Sequence, residues 1–238
     1  MTSSARRASK PGRAQQRVPR AAQAQTAVPA AESAERPVLR RLTRAELPTD
    51  TGELAHWLIG KTLVHERGSA GRRVRLSGRI VETEAYVPGD ASGHAFRGET
   101  ARNGSLFREL GRAYVYFVYG CWHCLNVAAE REGVGAGVLL RAIEPLEGIT
   151  AMTRLRGGAA LHELARGPGR LTAALGIDLR HDGLDLCTHP TLWLADAVRP
   201  PGEVACSVRI GISKEVDRPL RFYERGSRFV SGSARMRG

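Results

Sequence analysis

The spacing of apolar residues changes period several times along the chain, and each change marks an element. Residues 1–37, rich in Ala, Ser, Pro, Gln and Arg, have no apolar period and read as a disordered tail that cannot bury a core. Within LTRAELPTDTGELAHWLIG, Leu54, Trp57 and Leu58 share a helical face and Gly60 is placed to stop the helix. TLVHER and RRVRLSGRIVETEAY read as strands joined by a tight Gly-Ser-Ala-Gly turn. Residues 87–112 are polar and Gly-rich, a long loop of the kind that carries function. AYVYFVYG alternates and is followed by CLNVAAE as a second strand, then by a turn at REGVGAG and the apolar strand VLLRAI. Leu146, Ile149, Met152 and Leu155 recur at helical spacing, and GPGRLTAALGI reads as a second short helix. TLWLAD, CSVRIGI and PLRFYERG close the chain as strands. The pattern predicts a mixed α+β domain over residues 38–238, built around a largely antiparallel sheet, behind a tail at residues 1–37.

Composition narrows the class. The 238 residues are 42% hydrophobic and 25% charged, as in ordinary globular proteins. No apolar run approaches the roughly 18 residues of a membrane span. The absence of an apolar signal core leads us to expect a protein that is not secreted: cytoplasmic and nucleoid-associated if bacterial. A transit peptide also fits residues 1–31, which contain no acid. The net charge of +12 calls for a polyanionic partner, with nucleic acid the best reading. Half of it is local: residues 1–40 hold eight bases against Glu32 and Glu35, or +6, which leaves +6 for the rest. Only Lys10, Lys61 and Lys214 are lysines, so 33 of the 36 bases are arginine.

The segment YVYFVYGCWHC (114–124) carries two candidate chemistries. A redox Cys-x-x-C sits at a helix N-terminus, whereas Cys121 and Cys124 have strand-like flanks. A structural zinc site needs four ligands, and Cys187 and Cys206 stand apart. The two thiols therefore read as packing residues at the root of a hairpin, and neither metal nor cofactor is expected. Tyr114 and Tyr116 share one strand face, while Tyr119, before Gly120, can expose its ring at a bend. An exposed aromatic there can enter a base stack, whereas sheet packing is the plainer role for all three. Glu82 and Glu84 lie two apart on an apolar strand with Tyr86 next on that face, either as a wet face or as buried carboxylates suited to general-base work. Arg141, inside VLLRAI, needs an anion there: a carboxylate or a phosphate.

Taken together, GRIVETEAY, ARNGSLF, AYVYFVYG, CLNV, GVLLRAIEPLEG, GPGRL, RIG and PLRFYERGSRFVS make the chain resemble the methylpurine (3-methyladenine, alkyladenine) DNA glycosylases of base-excision repair. The likeness runs from about residue 40 to about residue 231. It implies a single domain with a curved sheet and a β-hairpin that inserts into the DNA minor groove. It implies a monomer acting on double-stranded DNA that contains damaged purines, which are flipped into a pocket as base-modifying enzymes require. Tyr119 matches the wedge tyrosine. Tyr86 and His94 match one face of the base pocket, Tyr116 the other, and Asn126 the asparagine that crowds normal guanine. Glu84 matches the general base, and Arg141 with the Ile210 backbone matches the groups that hold the water, Arg141 also lying near a phosphate. Tyr114 remains structural in this reading.

An N3- or N7-alkylated purine is cationic and already a good leaving group, so one glutamate can position water and offset charge developing on the sugar. A strand-cleaving glycosylase needs an amine for a Schiff base. None of the three lysines lies in a matched catalytic motif, so base removal without strand cleavage is expected. A non-catalytic nucleic-acid binder on a similar fold is the competing class, and Glu84 separates the two.

Overall fold

The computed structural model describes Met1 and residues 38–69, 71 and 73–232; beyond Met1, the tail expected at residues 1–37 lies outside the described residues. In chain order the elements are α1 (Thr51–Trp57), β1 (Thr62–Arg67), β2 (Val74–Tyr86), β3 (Ala113–Val118), β4 (Trp122–Ala128), β5 (Gly137–Glu147), α2 (Ile149–Leu155), α3 (Pro168–Leu175), β6 (Leu192–Ala195), β7 (Val204–Ser207) and β8 (Arg221–Glu224). The strands form one antiparallel sheet in the order β3-β4-β5-β2-β1-β6, with β8 paired to β2 and β7 to β8.

β2 is the spine. Its first half pairs with β1, its second half pairs with β8 on that same edge, and β5 runs along the other edge. Residues 76–85 are buried without a break, so this strand has no solvent face and its polar residues must find partners in the protein. Bulges on either side of Glu82 break the register with β5. Such irregularities bend a strand and sharpen its twist, and here the sheet curls into a half-barrel.

The helices pack against the sheet. Asp50 caps α1 by accepting the Glu53 N–H at 2.8 Å, and Leu54 and Leu58 enter the cluster that holds Leu63, Ile80, Val138 and Ile143. Each fully buried side chain of this size stabilises the fold by about 1.5–3 kcal/mol. Pro168 opens α3 and left-handed Gly176 ends it. This helix packs on β4 and β5, and the Thr172 hydroxyl donates to the His123 carbonyl at 2.7 Å, bracing the β3–β4 hairpin from behind. Gly148, at φ 71°, turns the chain from β5 into α2 where a Cβ would lie 2.6 Å from the Arg75 carbonyl oxygen.

The pattern of apolar residues placed the strands and short helices well, with four corrections. Leu146 belongs to β5, and α2 begins only at Ile149. CSVRIGI is a strand only to Ser207; residues 208–212 leave the ladder and turn into the site. The 87–112 loop holds a short 3-10 turn at Gly104–Phe107. Cys121 sits exposed at the hairpin tip, not at its root, because the turn begins one residue earlier, at Tyr119. Among the described residues, no helix is long and apolar enough to cross a membrane.

Candidate active site

Two carboxylates on the spine strand form the floor of the site. Glu82 and Glu84 are both fully buried, which excludes the wet-face alternative. Arg141, from neighbouring β5, lies between them: its Nε donates to Glu82 Oε1 and one terminal nitrogen donates to Glu84 Oε2, each at 3.1 Å. Its other terminal nitrogen reaches Ser231 Oγ at 3.3 Å. The anion that Arg141 needs in its apolar strand is thus a pair of carboxylates.

The two glutamates are held differently. Glu82 Oε1 accepts from Arg141, from Arg221 Nε at 2.7 Å and from the Ser231 hydroxyl at 3.0 Å, while its Oε2 accepts the Ser231 N–H at 2.7 Å. Burial pushes its pKa up, but the Arg141 and Arg221 guanidinia outweigh burial and hold it below the ordinary value. Glu84 receives one N–H from Arg141, the Ile210 amide at 2.7 Å and the Tyr86 hydroxyl at 3.1 Å. There burial wins, and the carboxyl is raised above its ordinary value. A buried carboxyl raised in this way, beside a specific charged partner, is a candidate for proton transfer.

Linked to these groups through Tyr86 is a cavity of about 200 Å³. Drug-sized ligands fill cavities of about 300–1,000 Å³, so this one suits a single flat heterocycle. Its walls include Tyr86, His94, Tyr114, Tyr116, Tyr119 and Asn126, which gathers every expected pocket residue in one place. Tyr86 belongs to both levels, since its ring lines the cavity while its hydroxyl touches Glu84. The Arg209 guanidinium lies 4.7 Å from the centre of that ring and pairs with buried Asp90, so Tyr86 is backed by a fixed cation. His94 and Tyr116 meet edge to face at 4.4 Å, and Tyr114 and Tyr116 stack at 5.4 Å.

Tyr114 is a wall residue that sequence reasoning assigned to packing. Its hydroxyl lies 2.9 Å from His94 Nδ1 and its carbonyl accepts Asn126 Nδ2 at 3.3 Å, so it positions two other wall residues. Its place on the Tyr116 face of the strand was the available signal. Cys124 pairs with Tyr116 across the hairpin and hydrogen-bonds it. Burial pushes the Cys124 thiol up, away from thiolate chemistry. Tyr119 stands at the cavity rim, 85% exposed, with a left-handed φ of 53°. Lys61 is committed to Asp196 at 2.8 Å, and Lys214 lies over the Phe96 ring at the cavity mouth.

A larger hollow of about 550 Å³, lined by Ser105, Arg108, Glu109, Arg112 and Glu132 among others, has neither aromatic walls nor a buried carboxylate. Its Arg112 and Glu109 pair with each other at 3.0 Å. No group of three or more potential metal ligands occurs among the described residues.

Comparison with known proteins agrees with the motifs. The profile of the family described as methylpurine-DNA glycosylase matches residues 45–228. Curated relatives bearing the name "putative 3-methyladenine DNA glycosylase" include one from Mesorhizobium japonicum, 58% identical over 80% of this chain and 90% of its own length. Another, from Paraburkholderia phytofirmans, is 51% identical over 82% and 90%. A third, from Methanoculleus marisnigri, is 44% identical over 76% and 94%.

Proposed function

The chain belongs to the methylpurine-DNA glycosylase family and is a monofunctional DNA N-glycosylase; we propose that it extrudes damaged purines from duplex DNA and hydrolyses their glycosidic bond with water activated by Glu84. Alkylated purines such as 3-methyladenine are the primary substrates in this reading, and deaminated and etheno purines are candidates of the same shape. The observation that carries it is Glu84 itself: a buried carboxylate, raised by burial, joined through the Tyr86 hydroxyl to a cavity the size of one base.

The roles follow from position. Tyr119, projecting at the hairpin tip, fills the gap that the extruded nucleotide leaves in the helix. The base lies with Tyr116 on one face and Tyr86 and His94 on the other. Because His94 and Tyr116 already touch at 4.4 Å, they must part to admit it. Asn126, fixed by the Tyr114 carbonyl, crowds the exocyclic amino group of normal guanine. Arg141 and the Ile210 amide hold the two oxygens of Glu84, so the carboxylate keeps one orientation as it accepts a proton.

In the reaction, the water oxygen bonds to the anomeric carbon and its proton passes to Glu84. The carbon–nitrogen bond breaks and its electron pair stays with the base. From a cationic N3- or N7-alkylated purine the base leaves neutral, so no acid is required at the base. The folded domain lies on duplex DNA through its basic surface, and the bases of residues 1–37 add non-specific attraction.

Glu84→Gln tests the assignment and separates an enzyme from a binding protein. We expect base release to fall about 10²–10⁴-fold while affinity for lesion-bearing duplex is kept. Undiminished base release would refute the mechanism.

A further inference from the structure

Glu82 has no part in the mechanism above, yet it is the most heavily engaged side chain on the floor of the site. Four hydrogen bonds converge on its two oxygens, from Arg141, Arg221 and, twice, Ser231. Ser231 lies beyond residues 45–228, the span matched by the family profile, and the Val230 and Gly232 carbonyls on either side of it both accept from Arg166. The chain around Ser231 is therefore fastened to Arg166, with the Ser231 hydroxyl aimed at Glu82 and at Arg141.

We propose that Glu82 is a positioning residue for catalysis: a fixed buried anion, clamped by Ser231, that takes half of Arg141 and so leaves Glu84 basic enough to accept a proton from water. The physical argument is one of sharing. A guanidinium given wholly to one carboxylate stabilises its anion and makes it a poor base. Divided between two, with the first carboxylate ionised by a second arginine, it orients Glu84 without suppressing its basicity. The opposite directions of the two carboxyl groups agree with that division.

The charged and titratable groups around Glu84 are few. Glu82 and Tyr86 approach from its own strand, Arg141 from β5, Cys124 from β4 and Arg221 from β8. The 208–212 segment contributes the Ile210 amide, with Arg209 behind Tyr86. Of these, Glu82 is the sole carboxylate, so removing its charge leaves Arg141 to Glu84.

The inference rests on Glu84 being the proton acceptor, and the experiment keeps the two apart. Single-turnover release of 3-methyladenine from methylated duplex DNA is followed as a function of pH for the full chain and for Glu82→Gln. In the parent protein the rate should rise as Glu84 ionises. In Glu82→Gln that acid limb should move to lower pH by about one unit, the plateau should fall roughly 3- to 10-fold, and DNA affinity should not change. A merely structural role lowers the active fraction without moving the limb. Should Arg221, stripped of this carboxylate, prevent folding, Glu82→Gln combined with Arg221→Gln removes both opposite charges and must shift the limb in the same direction. An acid limb unmoved in whichever variant folds overturns the role of Glu82, whereas a parent protein with no acid limb overturns that of Glu84.

Discussion

The Tyr86 hydroxyl donates to Glu84 Oε2 across 3.1 Å, so the wall of the base cavity and the buried carboxylate are one connected unit. Tyr86→Phe keeps the ring and removes the donor. A hydrogen bond to a charged group is worth about 1.5–3 kcal/mol, and the ionised carboxylate loses that stabilisation in this variant. This hydroxyl favours the ionised carboxylate and lowers its pKa, so its loss raises the pKa further and the acid limb moves to higher pH. The direction is opposite to that expected for Glu82→Gln, and pH–rate profiles of the two variants side by side distinguish them. A Tyr86→Phe limb that moves downward would contradict the sharing of charge at this floor.

Tyr119 can be tested through its own backbone. A non-glycine residue at φ 53° is strained by about 1–2 kcal/mol, and the ring gains little from the fold because it is 85% exposed. Tyr119→Gly should leave the thermal midpoint equal or higher. Stacking of an aromatic on a base is worth about 1–3 kcal/mol, so lesion binding should weaken roughly tenfold in the same variant. Calorimetry and anisotropy titration on one preparation measure both, and a fall in stability with unchanged binding would remove the wedge assignment.

A pH dependence of stability is built into a histidine pair away from the cavity. His65 Nδ1 donates to the Leu175 carbonyl at 2.8 Å, and its Nε2 faces His181 Nε2 at 3.3 Å. His181 Nδ1 lies 3.1 Å from both the Asp178 backbone N–H and the Asp178 carbonyl. A proton on His65 would be buried beside that second imidazole. Burial above all holds its pKa down to about 4, from 6.5 in the unfolded chain. As pH falls the unfolded state takes up the proton first, so this contribution is complete above about 6.5 and is lost on the way to about 4. The total is on the order of 3 kcal/mol. His65→Asn keeps a donor for Leu175 and should flatten the profile in urea unfolding; an unchanged slope would assign it to other groups.

Residues 1–37 carry seven bases against two acids. Deleting them should flatten the salt dependence of DNA affinity and leave single-turnover base release nearly intact. Measuring both quantities at several salt concentrations decides the matter, and a large loss of rate would put the tail in the chemistry.

Much of the domain was legible in its apolar spacing because β2 and its neighbours are strands buried on at least one face, where period and burial coincide. The pairing of Glu82 with Glu84 on one strand also pointed to a shared environment. That Arg141 would need an anion was legible, but that Arg221, in the short RFYE strand, would share Glu82 with it was not. Ser231 closes the matched stretch PLRFYERGSRFVS, yet its contact with Glu82 was not legible, because it depends on the chain path after β8. The exposure of Cys121 was missed because the left-handed turn at Tyr119 and Gly120 starts the hairpin tip earlier than alternation implies. Residues 208–212 read as strand by composition, yet Arg209 and the Ile210 amide turn towards Asp90 and Glu84 instead of a ladder partner.

The bulged β2 strand carries Glu84 between β5 and β8, whereas much of the cavity rim comes from connecting segments: residues 87–96, 135–136 and 211–212. In the proposed mechanism the water-activating carboxylate thus stands on a paired strand and part of the rim on connecting segments, with Tyr86 joining the two. On that reading, connecting segments grafted from a relative would reshape the rim while Glu84 keeps its place between β5 and β8.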